Sequence, residues 1–247
     1  MFGLTVVCRL VVTHAVDHLI ERYGVTAVTE AMRPLLSDER IARIENVLDA
    51  RLDGLTVAIE NLHDPHNGAA AIRSLEALGI ATLHVVETVE KFQFAPAVTI
   101  GCEKWIDVVR YKSFERCAEI LESAGYRLYA ASPGGDHDLE GVDVTGPVCV
   151  VFGNEHAGLT AEALARCPHR VSIPMYGFTQ SFNLSVSVAV TLQRLAERRR
   201  MSLHQPGDLP GAKRAHLRAR WYALGVRGAD AIVARHVSRS TQGMWPS

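Results

Sequence analysis

The sequence predicts an α/β fold in which a parallel β-sheet is covered by helices on both faces. Segments with strand character alternate with segments of helical periodicity from residue 55 onward. The strand segments are continuously apolar, which is typical of parallel strands buried on both faces. Ligands of such folds bind in the loops that follow the carboxyl ends of the strands. These loops are therefore where we look for a functional site.

The predicted helices are recognised by their caps and their apolar periodicity. A first helix over 14–32 is interrupted near Gly24 and ended by Pro34. Ser37 is a suitable N-cap for an amphipathic helix over 37–52, because acidic residues follow it in the first turn. The further helical segments are Ala69–Leu78, Ser113–Ser123, Thr160–Arg166, Ser181–Arg200, Ala212–Leu224 and Ala229–Val237.

The predicted strands are short and rich in β-branched and other apolar residues. They are Leu55–Ile59, Ile80–Val86, Ile106–Tyr111, Arg127–Ala131, Pro147–Phe152 and Arg170–Ile173. The helices between most of them provide the crossovers that parallel strands require.

The composition is that of a globular protein in a reducing compartment. The 247 residues are 48% hydrophobic and 21% charged, enough for a sizeable core. The apolar stretch 4–12 lacks the marks of a signal peptide, and no run reaches the roughly 18 apolar residues of a spanning helix. We expect a cytoplasmic protein with no membrane partner. The five cysteines lack a CxxC pair and so indicate neither a disulfide framework nor a zinc ribbon: Cys8, Cys102, Cys117, Cys149 and Cys167.

Charge is distributed unevenly along the chain. From Arg194 to the C-terminus there are 11 Lys or Arg and 3 Asp or Glu, a net charge of +8, whereas the rest of the chain carries −9. A basic, arginine-rich tail after the linker-like segment 204–211 suits a phosphate-rich partner such as RNA. A solvated arginine-rich helix gives the same pattern, so charge alone leaves both interpretations open.

The loop 61–68 leads into a helix and carries the first unusual residues. Asn67 and Gly68 suit a helix start with a close backbone approach. Arg73 follows within an apolar segment, where an arginine is costly to bury unless it meets an anion or a carboxylate. The alternative is an exposed arginine whose stem covers apolar surface. His63 and His66 have no third ligand nearby in sequence, so no metal site is predicted.

Two later loops also combine glycine with polar side chains. In 152–160, two glycines permit tight turns, and Glu155 lies at the carboxyl edge of the sheet. This segment is neither a P-loop nor a dinucleotide-binding motif. In 173–185, Ser181 and Asn183 suit a helix cap. Together with Gln180 they make three polar side chains, which is more than one helix cap uses. The alternatives to a functional role are a plain glycine turn in 152–160 and a simple helix cap in 173–185.

The segments HNGAAAIR (66–73), FGNEHAGLT (152–160) and IPMYGFTQSFNLSVSVAV (173–190) together resemble the three signature motifs of the SPOUT superfamily. More narrowly, they resemble the TrmH-type RNA ribose 2′-O-methyltransferases, which use S-adenosylmethionine. The resemblance extends from about residue 37 to about residue 200. It is most like the branch that modifies guanosine 18 of tRNA, because segment 38–67 and the basic tail are similar to that branch.

The resemblance implies a trefoil knot in the C-terminal part of the sheet and a homodimer with each site near the subunit interface. It divides the chain into an N-terminal helical extension (1–36), a catalytic domain (37–200) and a basic C-terminal extension (201–247). The residues that match catalytic positions of the motifs are Arg73, Asn67, Glu155, Ser181 and Asn183. The residues that match positions binding S-adenosylmethionine, largely through backbone, are Ala131, Gly153, Ile173 and Phe182.

A guanidinium stays protonated at ordinary pH, so Arg73 is a poor base for the ribose hydroxyl. We predict instead that Arg73 binds the neighbouring phosphate bidentately and stabilises the developing alkoxide, while the proton leaves to a phosphate oxygen or to water. Asn67 is expected to fix Arg73 or the ribose, and Glu155 to orient Arg73. Ser181 and Asn183 are expected to hold the third loop and to hydrogen-bond the substrate.

Three other functions remain open at this point. An rRNA 2′-O-methyltransferase is the nearest, although the short segment before residue 37 favours tRNA. A non-catalytic RNA-binding or chaperone protein on the same scaffold is disfavoured by the intact motif residues. A small-molecule methyltransferase or nucleotide-binding regulator leaves the basic tail unexplained.

Overall fold

A computed structural model of the chain describes residues 10–11 and 14–242. Cys8 and most of the apolar stretch 4–12 lie outside these residues. The strands are β1 (Leu10–Val11), β2 (Leu55–Glu60), β3 (Thr82–Val86), β4 (Asp107–Tyr111), β5 (Arg127–Ala131), β6 (Val148–Phe152) and β7 (His169–Val171). The helices are α1 (Asp17–Met32), α2 (Asp38–Asp49), α3 (Pro65–Ala77), α4 (Pro96–Thr99), α5 (Phe114–Ser123), α6 (Ala161–Arg166), α7 (Leu184–Leu203), α8 (Gly211–Leu224) and α9 (Ala229–Gln242).

The strands form one sheet in the order β1-β4-β3-β2-β6-β5-β7. All neighbouring pairs are parallel except the short edge pair of β1 with β4. Strands β2 and β6 occupy the centre, so the loops after them emerge side by side at the carboxyl edge. The predicted α/β class with a parallel sheet is confirmed.

Helices cover both faces of the sheet, as the apolar strands predict. Val57 and Val150 belong to a core that includes residues of α3 and α7. Their neighbours Ala58 and Val151 point to the opposite face and belong to a second core with residues of α5 and α6. Two-sided burial therefore explains the absence of polar alternation in β2 and β6.

The segment after β5 runs alongside β7. Ser132 donates its amide to the carbonyl of Val171 (3.0 Å), and the amide of Ser172 returns to the carbonyl of His137 (2.8 Å). At Gly135 a Cβ atom would lie 2.8 Å from the carbonyl carbon of Val171, so only glycine fits where these segments meet. The trefoil knot implied by the resemblance stays a prediction.

Two compact units divide the chain, and their borders differ from the predicted domains. Among the described residues, the sheet unit comprises 10–11 and 52–206, and the helical unit comprises 14–51 and 207–242. Helix α2 thus packs in the helical unit, although we assigned residues 37–200 to one catalytic domain. The physical reason is side-chain pairing between α2 and α8, which sequence separation concealed. The functional division at 36/37 and 200/201 stays a prediction.

In the helical unit, acidic residues of the N-terminal helices pair with arginines of α8. Glu45 accepts hydrogen bonds from Arg218 (2.5 and 2.6 Å) and Arg214 (3.1 Å), and these bonds hold the pKa of Glu45 below its ordinary value despite partial burial. Arg220 donates to Asp17 (2.7 Å), and both side chains are buried. Three of the eleven basic residues of the tail are thus paired with carboxylates of the N-terminal helices.

Two arginines of α7 are also bound within the sheet unit, one by a carboxylate and one by backbone carbonyls. Arg194 binds Glu140 (2.5 and 2.9 Å), and Arg199 donates to the carbonyls of Val144 (2.9 Å) and Gly146 (2.6 Å). The net charge of the tail is consequently weaker evidence for a phosphate-rich partner than the sequence indicated. Within residues 10–11 and 14–242, the helices are all too short or too polar to cross a membrane.

Candidate active site

The loop after β2 places Asn67 at the carboxyl edge of the sheet. Asp64 caps α3 by accepting the amide of His66 (2.8 Å), and Pro65 occupies the first helical turn, where its missing N–H costs nothing. Asn67 therefore lies in the first turn of α3, and its side chain is buried. The start of the helix fixes where this amide points.

Asn61 holds the loops after β2 and β3 together. It adopts a left-handed conformation (φ 51°), which asparagine tolerates better than most residues. Its Oδ1 atom accepts the amides of Thr88 (3.0 Å), Val89 (2.9 Å) and Glu90 (3.3 Å). The loop that carries Glu90 is thereby anchored beside the candidate site.

A glycine turn after β6 presents Glu155. Asn154 and Gly158 exchange backbone hydrogen bonds (3.0 and 2.9 Å), which closes the turn around Glu155. At Gly153 a Cβ atom would lie 2.1 Å from the carbonyl carbon of Gly158, so a side chain is excluded. Asn154 also donates to the carbonyl of Asn61 (2.7 Å) and joins this turn to the loop after β2.

Three predicted catalytic side chains form one hydrogen-bonded chain. Asn183 Nδ2 donates to Asn67 Oδ1 (3.0 Å), and Asn67 Nδ2 donates to Glu155 Oε1 (3.0 Å). The side-chain oxygen of Asn183, Oδ1, caps α7 by accepting the backbone amide of Ser185 (2.8 Å). Residues from all three sequence motifs are therefore connected side chain to side chain.

Backbone amides complete the surroundings of Glu155. His63 donates its amide to Oε2 (3.0 Å) and Asp64 donates to Oε1 (3.2 Å). Burial raises the pKa of Glu155, but the hydrogen bonds from Asn67 and from these amides outweigh it, so the pKa lies below its ordinary value. Glu155 is therefore an ionised anchor for the loop and not a proton donor at neutral pH.

A cavity of about 910 Å³ opens beside this network. Eight of the nine predicted site residues line it: Asn67, Ala131, Gly153, Glu155, Ile173, Ser181, Phe182 and Asn183. Apolar side chains of Leu139 and Phe152 contribute to the same wall. Ser181 and Phe182 lie at the exposed rim, with Phe182 42% exposed. The structure thus brings together three loops that are far apart in sequence.

Arg73 does not line this cavity. It lies six residues after Asn67 on α3, which turns its side chain by about 120° and shifts it by about 9 Å along the helix. The guanidinium is exposed and donates to the carbonyl of Val98 (3.2 Å). Within one chain, Glu155 therefore does not orient Arg73, because Asn67 and backbone amides already occupy its carboxylate. That Asn67 fixes the ribose stays a prediction.

Sequence reasoning missed the residues that position this site. Asp64, Asn61 and Asn154 hold the loops by side-chain to backbone hydrogen bonds. The signals were present, since an Asp-Pro pair before a helix and an Asn directly after a strand both favour such contacts. Within the described ranges, no group of three His, Cys, Asp or Glu side chains is arranged to hold a metal ion.

The fold and this site define a family of methylases. Residues 54–193 match the model of the SpoU rRNA Methylase family, and the chain belongs to that family. A relative from Borreliella burgdorferi, named tRNA (guanosine(18)-2′-O)-methyltransferase, is 36% identical over 217 residues, which cover 87% of this chain and 96% of the relative. The predicted family resemblance and the predicted class of enzyme, a methyltransferase, are confirmed.

Solved structures agree with this assignment. The TrmH/SpoU tRNA modifying enzyme of Aquifex aeolicus superposes with a TM-score of 0.67 at 26% identity, covering 76% of this chain and 98% of that one. The SpoU methyltransferase AviRb from Streptomyces viridochromogenes, in complex with AdoMet, gives a TM-score of 0.56 at 27% identity and covers 63% of this chain and 64% of that one. The SPOUT type of fold is therefore confirmed.

Proposed function

We propose that this chain transfers the methyl group of S-adenosylmethionine to the ribose 2′-hydroxyl of guanosine 18 in the D-loop of tRNA. The observation that carries the proposal is the Asn183–Asn67–Glu155 hydrogen-bonded chain at the wall of the cavity. The substrate is inferred from the name of the Borreliella burgdorferi relative, of which this chain covers 96%.

The cavity suits S-adenosylmethionine in size and chemistry. Its volume of about 910 Å³ is within the range of small-molecule sites. The side chains of Leu139 and Ile173 offer an apolar surface for an adenine ring, and the loops at Ala131, Gly153 and Phe182 offer backbone polar groups. S-adenosylmethionine supplies an electrophilic methyl group on a positively charged sulfur, and the ionised Glu155 makes the wall favourable for a cation.

We assign the hydrogen-bonded chain to the placement of the ribose. Asn67 is held at both ends of its amide, so its orientation is fixed before substrate arrives. Ser181 lies at the rim, where its hydroxyl is available to the RNA. Arg73 stabilises the phosphate next to the reacting sugar and the developing alkoxide, as a bidentate cation and not as a base.

The position of Arg73 supports a homodimer in which each site is completed by the partner chain. Arg73 lies outside the cavity of its own chain, so a cation for the substrate phosphate has to come from elsewhere. Phe182 just before α7, and Val186 and Val190 on α7, are 42%, 44% and 40% exposed, and residues 171–193 contain no charged side chain. Such an uncharged segment with exposed apolar side chains suits a subunit interface.

The experiment that tests the substrate is methylation of total tRNA and total rRNA with labelled S-adenosylmethionine, followed by mapping of the ribose-methylated positions. We expect label in tRNA at guanosine 18. Label confined to rRNA would contradict the tRNA assignment, and no label in either RNA would contradict the enzymatic one. We also propose a cytoplasmic location, since the proposed substrate is tRNA, and a division of the chain into a catalytic domain (37–200) with the extensions 1–36 and 201–247.

Mixed dimers test the role of Arg73 in the partner subunit. Asn67→Ala and Arg73→Ala variants, each of which we expect to be inactive alone, are combined by unfolding and refolding together. If Arg73 serves the partner's cavity, one site of each mixed dimer has both residues, and activity reappears. If Arg73 serves its own chain, every site carries one defect, and the mixture stays inactive.

A further inference from the structure

Two imidazoles lie on the wall of the cavity beside Glu155. His63 and His156 both line the cavity that contains Asn67 and Asn183. Their ring centroids are 5.4 Å apart, with the rings inclined by 65°. The two residues come from different loops, the first after β2 and the second after β6. The proposed reaction requires a general base, because a ribose hydroxyl becomes a good nucleophile only as it loses its proton. An imidazole is the side chain best suited to accept a proton near neutral pH.

The other groups that we assign to the substrate, and the carboxylate of Glu155, are poorly suited to accept that proton. A guanidinium stays protonated, which removes Arg73 from consideration. The carboxylate of Glu155 already accepts three hydrogen bonds. Amides and hydroxyls such as those of Asn67 and Ser181 are not bases at neutral pH.

His63 is distinguished from His156 by a carboxylate partner. Its Nδ1 atom lies 3.5 Å from Glu90 Oε1, and the two side chains are 54% and 44% exposed. A carboxylate on that side favours the tautomer with the proton on Nδ1, which leaves the lone pair of Nε2 available. A carboxylate also stabilises the imidazolium that forms when Nε2 takes up a proton.

The backbone around this pair is fixed on two sides. The amide of His63 donates to Glu155 Oε2 (3.0 Å), and the amide of Glu90 donates to Asn61 Oδ1 (3.3 Å). The charged or titratable groups near the ring are thus Glu90 from the loop after β3, Glu155 and His156 from the loop after β6, and the adjacent Asp64. Three of these four are acidic side chains, and one of them, Glu90, faces Nδ1 of His63.

We propose that His63, oriented by Glu90, is the general base that accepts the proton of the ribose 2′-hydroxyl. The proposal rests on the methyl transfer proposed above. The hydroxyl proton passes to Nε2 of His63 while the 2′-oxygen forms a bond to the methyl carbon. The carbon–sulfur bond breaks with its electron pair remaining on sulfur, which becomes a neutral thioether. The imidazolium then returns its proton to water.

The test is the pH dependence of methyl transfer in a single turnover, with tRNA and S-adenosylmethionine saturating. For the unaltered chain we expect the rate to rise between about pH 5 and pH 8, where an imidazole loses its proton. His63→Gln is expected to slow transfer by about 100-fold at pH 8 and to abolish this rise. Glu90→Gln is expected to give a smaller loss and to shift the rise to lower pH, because it removes the charge that stabilises the imidazolium.

His66→Gln is the matched control. His66 lies three residues further along, in the first turn of α3, and its Nδ1 also faces a carboxylate, that of Asp64 at 3.1 Å, but it does not line the cavity. We expect its rate and pH profile to match the unaltered chain. Nitrogen NMR of the free protein gives a readout independent of activity: His63 should be the Nδ1–H tautomer, and Glu90→Gln should mix the tautomers. Calorimetric binding of S-adenosylmethionine checks that each variant keeps its cavity.

The outcomes separate this proposal from the function on which it rests. If the unaltered chain methylates tRNA and His63→Gln keeps the same rate and pH rise, the base assignment is overturned alone. If His63→Gln only raises the KM for tRNA and keeps the pH profile of kcat, His63 binds RNA and is not the base. If the unaltered chain transfers no methyl group to RNA, the proposed function fails, and the base assignment fails with it.

Discussion

Glu155→Gln is the substitution that most directly probes the hydrogen-bonded chain. The carboxylate accepts three donors: the amide of His63, the amide of Asp64 and the side chain of Asn67. A glutamine has the same shape, but it offers one oxygen and one NH₂ group. In its best orientation it keeps the contacts to Asp64 and Asn67 and turns its NH₂ group towards the N–H of His63. The hydrogen bond from His63 is lost, and the hydrogen bonds from Asp64 and Asn67 then go to a neutral acceptor.

The expected cost follows from these three contacts. A hydrogen bond to a charged group contributes about 1.5–3 kcal/mol and a neutral one about 0.5–1.5 kcal/mol. Losing one charged bond and neutralising two gives about 4 kcal/mol for a fully buried site. Solvent reaches part of this carboxylate, which reduces the loss to about 2 kcal/mol. A loss of that size corresponds to a factor of about 30 in an equilibrium or a rate.

Native-state hydrogen exchange measures this cost locally. The amides of His63 and Asp64 should exchange about 30-fold faster in Glu155→Gln, and methyl transfer should slow by a similar factor. Glu60→Gln is the matched control, since Glu60 also joins β2 to the loop after β6, by accepting the amide (2.9 Å) and the hydroxyl (2.8 Å) of Thr160. A glutamine there keeps both bonds, because the hydroxyl can reverse and accept. Equal exchange in Glu155→Gln and the unaltered chain would refute the reasoning.

The same carboxylate predicts a pH dependence of the loop. Because the pKa of Glu155 is lower in the folded chain, its stabilisation is complete above the ordinary value of 4.5 and is lost as the pH falls through the lower folded value. Protection of the His63 and Asp64 amides, corrected for intrinsic exchange, should therefore fall in acid. Glu155→Gln should lack this dependence. Protection that weakens above pH 6 instead would contradict the assignment of the charge to Glu155.

Four further substitutions test the glycine turn after β6, the buried ion pair of the helical unit and the role of Arg73. Gly153→Ala should lower the free energy of unfolding in urea by more than about 3 kcal/mol, because its Cβ would lie 2.1 Å from a backbone atom of Gly158. Gly158→Ala should lower it by only about 1–2 kcal/mol, which is the cost of the positive φ of 69°. Asp17→Asn should lower the free energy of unfolding of the helical unit, measured by thermal denaturation, by about 3–5 kcal/mol, because it removes the charge that compensates buried Arg220. A loss below about 1 kcal/mol would contradict this role of the ion pair. Arg73→Lys should lower turnover by about 100-fold with an unchanged Kd for S-adenosylmethionine, since it keeps the charge and loses the bidentate geometry; near-normal turnover would exclude that role.

Local signals in the sequence predicted most of the secondary structure. Ser37 accepts the N-cap hydrogen bond expected of it. Ser113 and Thr160, the first residues of two predicted helices, also accept N-cap hydrogen bonds, and all three helices begin at the next residue. Gly24 interrupts α1 with φ 81°, as predicted. Helix α3 begins earlier than predicted, at Pro65, because the Asp-Pro pair before it forms the cap. These features depend on neighbours within about four residues, which explains why a single sequence reveals them.

Side-chain contacts between residues far apart in sequence could not be predicted from such local signals. The bond between Asn67 and Asn183 joins residues 116 positions apart, and motif resemblance indicated only that both matter. The pairing of Glu45 with Arg218 spans 173 positions and draws α2 into the helical unit. Arg73 was assigned to Glu155 because both are charged and belong to the motifs, yet the helical turn between Asn67 and Arg73 directs them to different places. Pairing of this kind is decided by tertiary packing.

The most direct test of the account uses an unmodified tRNA transcript and its copy with 2′-deoxyguanosine at position 18. After incubation with the chain and S-adenosylmethionine, 2′-O-methylguanosine is quantified by mass spectrometry of the nucleosides. The account predicts about one 2′-O-methylguanosine per unmodified tRNA and none in the copy, which lacks the accepting hydroxyl. Equal methylation of both RNAs, or methylation of neither, would contradict the central claim that this cavity modifies that ribose.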